Sequence, residues 1–299
     1  MIKISNVRKS FEELEALENV SIQVNKGSIY GLLGSNGAGK TTLLKLLAGI
    51  YVQDEGEVAI DGQPVFENLG TKQKIFFIPD FPYFLPQYTV KQMAQFYQNI
   101  YLSWDQIRYE ELVQFFQMDV QKKIHKFSKG LQRQAAFILA LATKPEVLIL
   151  DEPMDGLDPV MRKKVKTLLI EDVAEREMTV LISSHNLREV EDICDYVGIM
   201  HKGQIIIEKE LDDLKSDTHK IQLAFKEKLP SGIFENMKLL HQEQRGSVLL
   251  CIVKGNEEEI VAGINLYKPV VFDILPLTLE EIFIYEMGDV GYAVQNILG

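Results

Sequence analysis

Cysteine is scarce in this sequence. Cys194 and Cys251 are the only two, too far apart to resemble the closely spaced ligand pair of a zinc site. Such usage fits a reducing compartment. Long apolar runs are also missing: the stretch 135–142 falls far short of the roughly 20 residues that span a bilayer. The start, Met1-Ile2-Lys3-Ile4-Ser5-Asn6, lacks the apolar stretch of a secretory signal. Any membrane role is therefore expected to be borrowed from a partner. Positive charge is in deficit, with 32 Lys and Arg against 43 Asp and Glu for a formal net charge of −11. That balance repels phosphate backbones, so no nucleic acid is expected as a partner.

What is present is ordinary for a soluble globular chain: 46% apolar and 25% charged residues exclude a mainly disordered or fibrous protein. A length of 299 residues predicts a catalytic core with one smaller appendage. Alternating Ile2 and Ile4, then Ile22 and Val24, read as strands, and Ser28-Ile29-Tyr30-Gly31-Leu32-Leu33 reads as a buried strand running into glycines. Thr41-Thr42-Leu43-Leu44-Lys45-Leu46-Leu47-Ala48 has strong helix formers and no breaker, so a helix follows at once. Residues 81–144, rich in aromatics and Gln, predict a mostly helical insertion. Val147-Leu148-Ile149-Leu150 and Thr179-Val180-Leu181-Ile182-Ser183 read as parallel strands separated by a helix over 162–176, a βαβ unit. Past about Asp217 the pattern changes. Alternation at 221–225, apolar runs at 248–253 and 270–275, and helix-like stretches at 257–266 and 279–286 predict a small separate α/β unit.

Gly34-Ser35-Asn36-Gly37-Ala38-Gly39-Lys40-Thr41-Thr42 satisfies the G-x-x-x-x-G-K-[ST] pattern of a phosphate-binding P-loop. Its backbone amides must wrap a phosphate at close range, in conformations that a Cβ would obstruct. The helix that follows adds its positive end. Lys40 is expected on the β/γ oxygens and the Thr41 hydroxyl on Mg²⁺. A second carboxylate for the metal comes from Asp151, where four apolar residues end in an acid at a strand's edge. Glu152, next to it, is placed to polarise the attacking water.

With these motifs the chain resembles the ABC (ATP-binding cassette) ATPases over residues 1–215. Phe127-Ser128-Lys129-Gly130-Leu131-Gln132 sits where that family carries its signature segment, Met154-Asp155-Gly156-Leu157-Asp158 is similar to its D-loop, and Ser183-Ser184-His185 resembles its H-loop. The fold implied is an α/β P-loop NTPase core with an antiparallel β subdomain and an α-helical subdomain at about 81–144. A small C-terminal α/β accessory domain at 216–299 completes it. The resemblance implies ATP and Mg²⁺ as cofactors and a head-to-tail dimer, with a second copy or a close paralogue, that sandwiches each ATP between one P-loop and the other signature segment. It assigns Glu152, His185 and Asp158 to catalysis. Phe11 is placed against adenine, and Ser128, Lys129 and Gly130 against the phosphate in trans.

Two positions depart from the family pattern. Asp80 replaces the usual Gln after the strand at 74–79, which puts a carboxylate near Mg²⁺ but adds negative charge beside the triphosphate. Lys129 replaces a glycine, and its ammonium either approaches the γ-phosphate across the interface or stays solvated. The S-K-G signature, the single cassette and Thr278-Leu279-Glu280-Glu281-Ile282-Phe283 look like the ABC-2 branch of drug, bacitracin and amphipathic-peptide exporters. That branch implies a separate transmembrane permease subunit and a peripheral location on the cytoplasmic face of the cell membrane. A soluble cassette acting on ribosomes or DNA fits less well, because such proteins carry two cassettes or basic linkers. A non-catalytic regulatory cassette conflicts with intact Lys40, Asp151, Glu152 and His185.

Overall fold

The computed structural model describes residues 1–282 apart from 217, 227, 228, 231, 236 and 279. The chain divides into two compact units, Met1–Glu208 and Lys209–Gly299. The first opens with β1 (Ile2–Phe11), β2 (Leu14–Val24) and β3 (Ile29–Leu33), followed by helix α1 (Lys40–Leu47), β4 (Glu55–Ile60) and β5 (Gln63–Pro64). Next come α2 (Leu69–Lys72), β6 (Ile75–Ile78), α3 (Val90–Ile100), α4 (Gln106–Phe116), α5 (Lys129–Ala142) and β7 (Val147–Asp151). It continues with α6 (Pro159–Arg176), β8 (Thr179–Ser184), α7 (Leu187–Val190) and β9 (Tyr196–His201), and β10 (Gln204–Glu210) runs across its end at Glu208.

Two sheets share one core. The order β2-β1-β4-β5 forms an antiparallel sheet, with Ile4 opposite both Ile22 and Val58. The second sheet runs β10-β9-β3-β8-β7-β6, and its pairs from β9 through β6 are parallel. Every residue of β3, β7 and β8 is buried. Such strands are covered on both faces, which is why they read as unbroken apolar runs rather than alternations. Leu43, Leu44 and Leu47 of α1 pack into the same cluster as Ile4, Ile22, Leu32 and Ile149.

Residues 81–144 hold α3, α4, a short 3₁₀ turn at Ile124–Lys126 and α5, with one isolated bridge between Thr89 and Lys123. Side chains start these helices. Thr89 and Gln92 form a reciprocal capping box, while Asp105 and Ser128 each accept from an amide of the first turn. Helix α5 is buried from Arg133 through Ala142, so it is apolar almost all round, as a core helix must be.

The second unit contains α8 (Leu211–Ser216), β11 (Thr218–Ala224), β12 (Lys238–Arg245), β13 (Val248–Lys254), α9 (Glu257–Asn265) and β14 (Val271–Leu275). Its antiparallel sheet runs β12-β13-β11-β14. Ile221, Leu223, Cys251 and Val253 pack against Ile260 and Ile264 of α9, whose start is capped by Asn256 and carries three glutamates at the positive end of the helix. The helix-like stretch at 279–286 lies largely outside the described residues. Among the described residues, no helix is long and apolar enough to cross a membrane.

Tyr30 on β3 is fully buried, and its hydroxyl donates to Glu208 at 3.1 Å. Burial, with Glu208 beside it, holds that phenol well above the ordinary tyrosine range. The ring lies over Gly198 of the neighbouring β9, where an added Cβ would stand 2.8 Å from Tyr30 Cζ. We expect Gly198→Ala to destabilise the fold by about 1–3 kcal/mol through overpacking. A urea midpoint that does not fall would contradict this packing.

Candidate active site

Parallel pairing brings the ends of four strands to one edge. Leu33 is in register with Ser184, Asp151 with Ser183, and Ile78 with Leu150. The glycine-rich loop leaves β3 there, Asp80 follows β6, Glu152 follows β7 and His185 follows β8. A crevice at the carboxyl edge of a parallel sheet is where such folds bind ligands. Here it is a cavity of about 460 Å³ lined by all of Ser35 to Thr42, together with Leu14, Glu15, Ala16, Asp80, Glu152, Lys202 and Gly203.

Glycines shape the loop at two positions. Gly39 has φ 108°, and a Cβ there would stand 2.7 Å from the Ala16 carbonyl oxygen. Gly37 has φ 81° and lines the cavity, with no atom within 4 Å of where its Cβ would be. No side chain caps the start of α1, so its first amides stay available to an anion. Lys40, 5% exposed, donates to the Gly34 carbonyl at 2.7 Å and the Ser35 carbonyl at 3.3 Å.

Asp151 is the buried pivot of the site. One carboxylate oxygen accepts from Thr41 Oγ1 at 2.8 Å and the other from Ser183 Oγ at 2.6 Å. Ser183 Oγ in turn accepts from the Glu152 amide at 2.9 Å. That amide belongs to a residue with φ 46°, a left-handed conformation that costs an L side chain roughly 1–2 kcal/mol. The twist turns the Glu152 carboxylate back toward Lys40 and His185. Glu152 Oε2 lies 2.9 Å from His185 Nδ1. Its Oε1 is 3.3 Å from Lys40 Nζ, an ion pair without hydrogen-bond alignment, so this buried oxygen accepts no hydrogen bond.

Behind His185, Glu189 accepts from Ser184 Oγ at 3.1 Å and from Arg162 at 2.9 Å. Arg162 also donates to the Leu157 carbonyl, which ties the start of α6 to the segment carrying His185. Burial pushes the Glu189 carboxyl above the usual range; Arg162 and Ser184 pull it down, while Asp155 and Glu152 push it up.

Asp80 reaches the cavity, and one of its oxygens is held by Arg133 at 3.3 Å. This guanidinium, 5% exposed, also donates to the carbonyls of Asp80, Pro79 and Asp151. It joins α5, the β6 loop and the end of β7.

The remaining expected residues lie outside the cavity lining. Ser128 caps α5 through the Leu131 amide, Lys129 Nζ sits over the Phe81 ring at 5.8 Å, and a Cβ on Gly130 would meet the Gly156 carbonyl at 2.7 Å. Asp158 caps α6, accepting from the Val160 and Met161 amides. Phe11 is 37% exposed, pairs with Leu14 across the β1–β2 turn and packs edge-on against Tyr51 at 5.2 Å. Motif reading missed Ser183, Arg133, Ala16, Lys202 and Gly203. Ser183 stood inside a quoted motif, and Asp80 signalled that a cation was needed nearby. The other three reach the loop only through the tertiary fold.

The residues present fit a magnesium-bound triphosphate. Thr41 and Asp151 offer hard oxygen donors side by side, uncapped amides face the cavity, and Glu152 Oε1 is a buried acceptor awaiting a donor.

Comparison with known proteins agrees with this reading. Residues 17–155 match the family described as ABC transporter. The ABC transporter ATP-binding protein YtrB of Bacillus subtilis (strain 168) is 35% identical over 289 residues, which cover 96% of this chain and 98% of that protein. The bacitracin transport ATP-binding protein BcrA of Bacillus licheniformis is 34% identical over 74% of this chain and 73% of its own. A dimeric post-hydrolysis structure of the ATP-binding cassette MJ0796, bound to ADP and Pi, superposes with a TM-score of 0.64 at 24% identity, over 71% of this chain and 99% of that one. At that identity the likeness speaks for the fold.

Ser183→Ala would leave the Glu152 amide and one Asp151 oxygen without their shared partner. We expect a stability loss of about 1–3 kcal/mol in urea titration. An unchanged midpoint would mean that water replaces the hydroxyl at no cost.

Proposed function

Since the chain belongs to the ABC transporter ATPases, we propose that it is the ATP-hydrolysing subunit of a membrane exporter of drugs or amphipathic, antimicrobial peptides. The observation that carries the catalytic part is the convergence of Lys40, Thr41, Glu152 and His185 around buried Asp151 at one sheet edge. The bacitracin transport relative supports the choice of cargo.

In this reading residues 1–215 form the nucleotide-binding domain, with 81–144 as its helical subdomain, and 216–299 form an accessory domain that braces the dimer or lines an exit vestibule. Thr41, Asp151 and Asp80 would hold Mg²⁺, which would supply charge neutralisation on the phosphate oxygens. Lys40 and the amides of residues 34–42 hold the β- and γ-phosphates. Glu152 turns from its contacts with Lys40 and His185 to accept the proton of the attacking water, a role typically worth 10²–10⁴-fold. His185, freed from that contact, reports whether the γ-phosphate is intact.

Ser128, Lys129 and Gly130 lie off the cavity, so they act on the nucleotide of a second copy, with Asp158 at the same seam and Phe11 against adenine. ATP then holds two cassettes together, closure pulls on a separate permease, and hydrolysis releases them. A coupling helix of the permease docks near the Asp80 loop, where Phe81 and Tyr83 are each 74% exposed. The chain thereby sits on the cytoplasmic face of the membrane.

Glu152→Gln should retain ATP binding, accumulate ATP-bound dimers in sedimentation and lower turnover by about 10²–10⁴-fold. Unimpaired turnover removes the base assignment. Lys40→Ala should abolish binding of a fluorescent ATP analogue, and undiminished affinity counts against the P-loop assignment.

A further inference from the structure

Two short segments of the first unit carry opposite charge that the described residues leave largely unpaired. Residues 120–132 contain Lys122, Lys123, Lys126 and Lys129 and no acidic residue. All four lysines are exposed. Lys122 lies over the Phe127 ring, Lys129 over the Phe81 ring, and Lys123 donates to Gln87. Among the described residues none of the four forms an ion pair, although acidic residues outnumber basic ones across the chain.

Residues 11–18 contain Glu12, Glu13, Glu15 and Glu18 and no basic residue. Glu12 and Glu13 form the exposed turn between β1 and β2, and neither has a partner among the described residues. Glu15 is 3.8 Å from Arg8, and Glu18 accepts from Gln204. The strand that leaves this turn supplies Leu14, Glu15 and Ala16 to the cavity wall, so the acidic turn stands at the rim of the nucleotide cavity.

We propose that these two edges are the docking surfaces for a second copy of this chain, the acidic turn of one copy facing the lysine strip of the other. The inference rests on the sandwich reading above, in which the segment bearing Ser128 covers the other copy's cavity. It adds what selects the partner. A two-fold dimer uses each contact twice, so a surface that is acidic at the cavity rim and basic beside Ser128 is self-complementary. Each copy carries −11, and two such chains repel one another at a distance. The seam is where that repulsion gives way to attraction, and opposite-charge facing steers encounter and suppresses wrong partners. The partner is therefore an identical chain rather than a cassette without this pair of edges.

The test uses the full chain with Glu152→Gln, Mg²⁺ and ATP, and reads the dimer dissociation constant by sedimentation. Raising NaCl from about 50 to about 500 mM, which shortens the screening length several-fold, should weaken the dimer at least tenfold. Chains carrying Glu12→Lys with Glu13→Lys, or Lys123→Glu with Lys126→Glu, should each dimerise at least tenfold more weakly alone. Their thermal midpoints as monomers should match the parent, since the four sites are exposed. Mixed in equal amounts the two variants should recover the dimer, because both seams then face opposite charges. Undiminished dimerisation of either variant alone, or no recovery on mixing, overturns the proposal and leaves the sandwich reading standing. Should the parent form no ATP-dependent dimer at all, both fall. Should charge reversal alter only binding to a co-purified permease, the edges belong to that partner and the self-pairing is wrong.

Discussion

A buried carboxylate with a hydroxyl on each oxygen holds this site together. Asp151 takes Thr41 from the P-loop helix on one side and Ser183 from the next strand on the other. An ionised group this deep is tolerable only when its lone pairs are met, and here meeting them fixes three elements against one another. The same serine holds the Glu152 amide, which sustains a left-handed backbone at that residue. Strain of this kind persists where its surroundings over-determine it, and it clusters at working sites.

Charge is arranged by locality. The chain as a whole is acidic and Glu15, Asp80 and Glu152 line the cavity, yet so do Lys40, the uncapped amides at the start of α1 and the hydroxyl of Thr41. Over a few ångströms those donors outweigh a net charge spread over the surface and screened by salt. Lys40 contacts two loop carbonyls and the Glu152 carboxylate. Glu152 and His185 are likewise paired with each other. Apart from Glu152 Oε1, the groups proposed for phosphate, water and sensing thus satisfy one another, so exchanging them for ligand contacts leaves few polar atoms unpaired.

Two arginines extend this order outward. Arg133 joins the Asp80 loop, the end of β7 and the helix that begins at Ser128. Arg162 joins the segment around Leu157 to Glu189 behind His185. Asp80 also acquires a physical reason: a guanidinium buried at 5% exposure calls for a carboxylate, and among the described residues Asp80 is the one that reaches it.

The alternating and unbroken apolar runs announced β1, β2, β3, β7 and β8, because burial on one face or two leaves different periodicities in the chain. The P-loop, the acid pair after β7 and the ordered segments downstream named the chemistry, because phosphate binding demands small residues and fixed spacing within one stretch of chain. Sequence determined those. Strand order, the insertion of β8 between β3 and β7, and the left-handed turn at Glu152 were decided by tertiary structure, as were the services of Ser183 and Arg133. Each of these depends on groups far apart in the chain meeting at one sheet edge, and no local pattern encodes which distant partner will satisfy a buried charge.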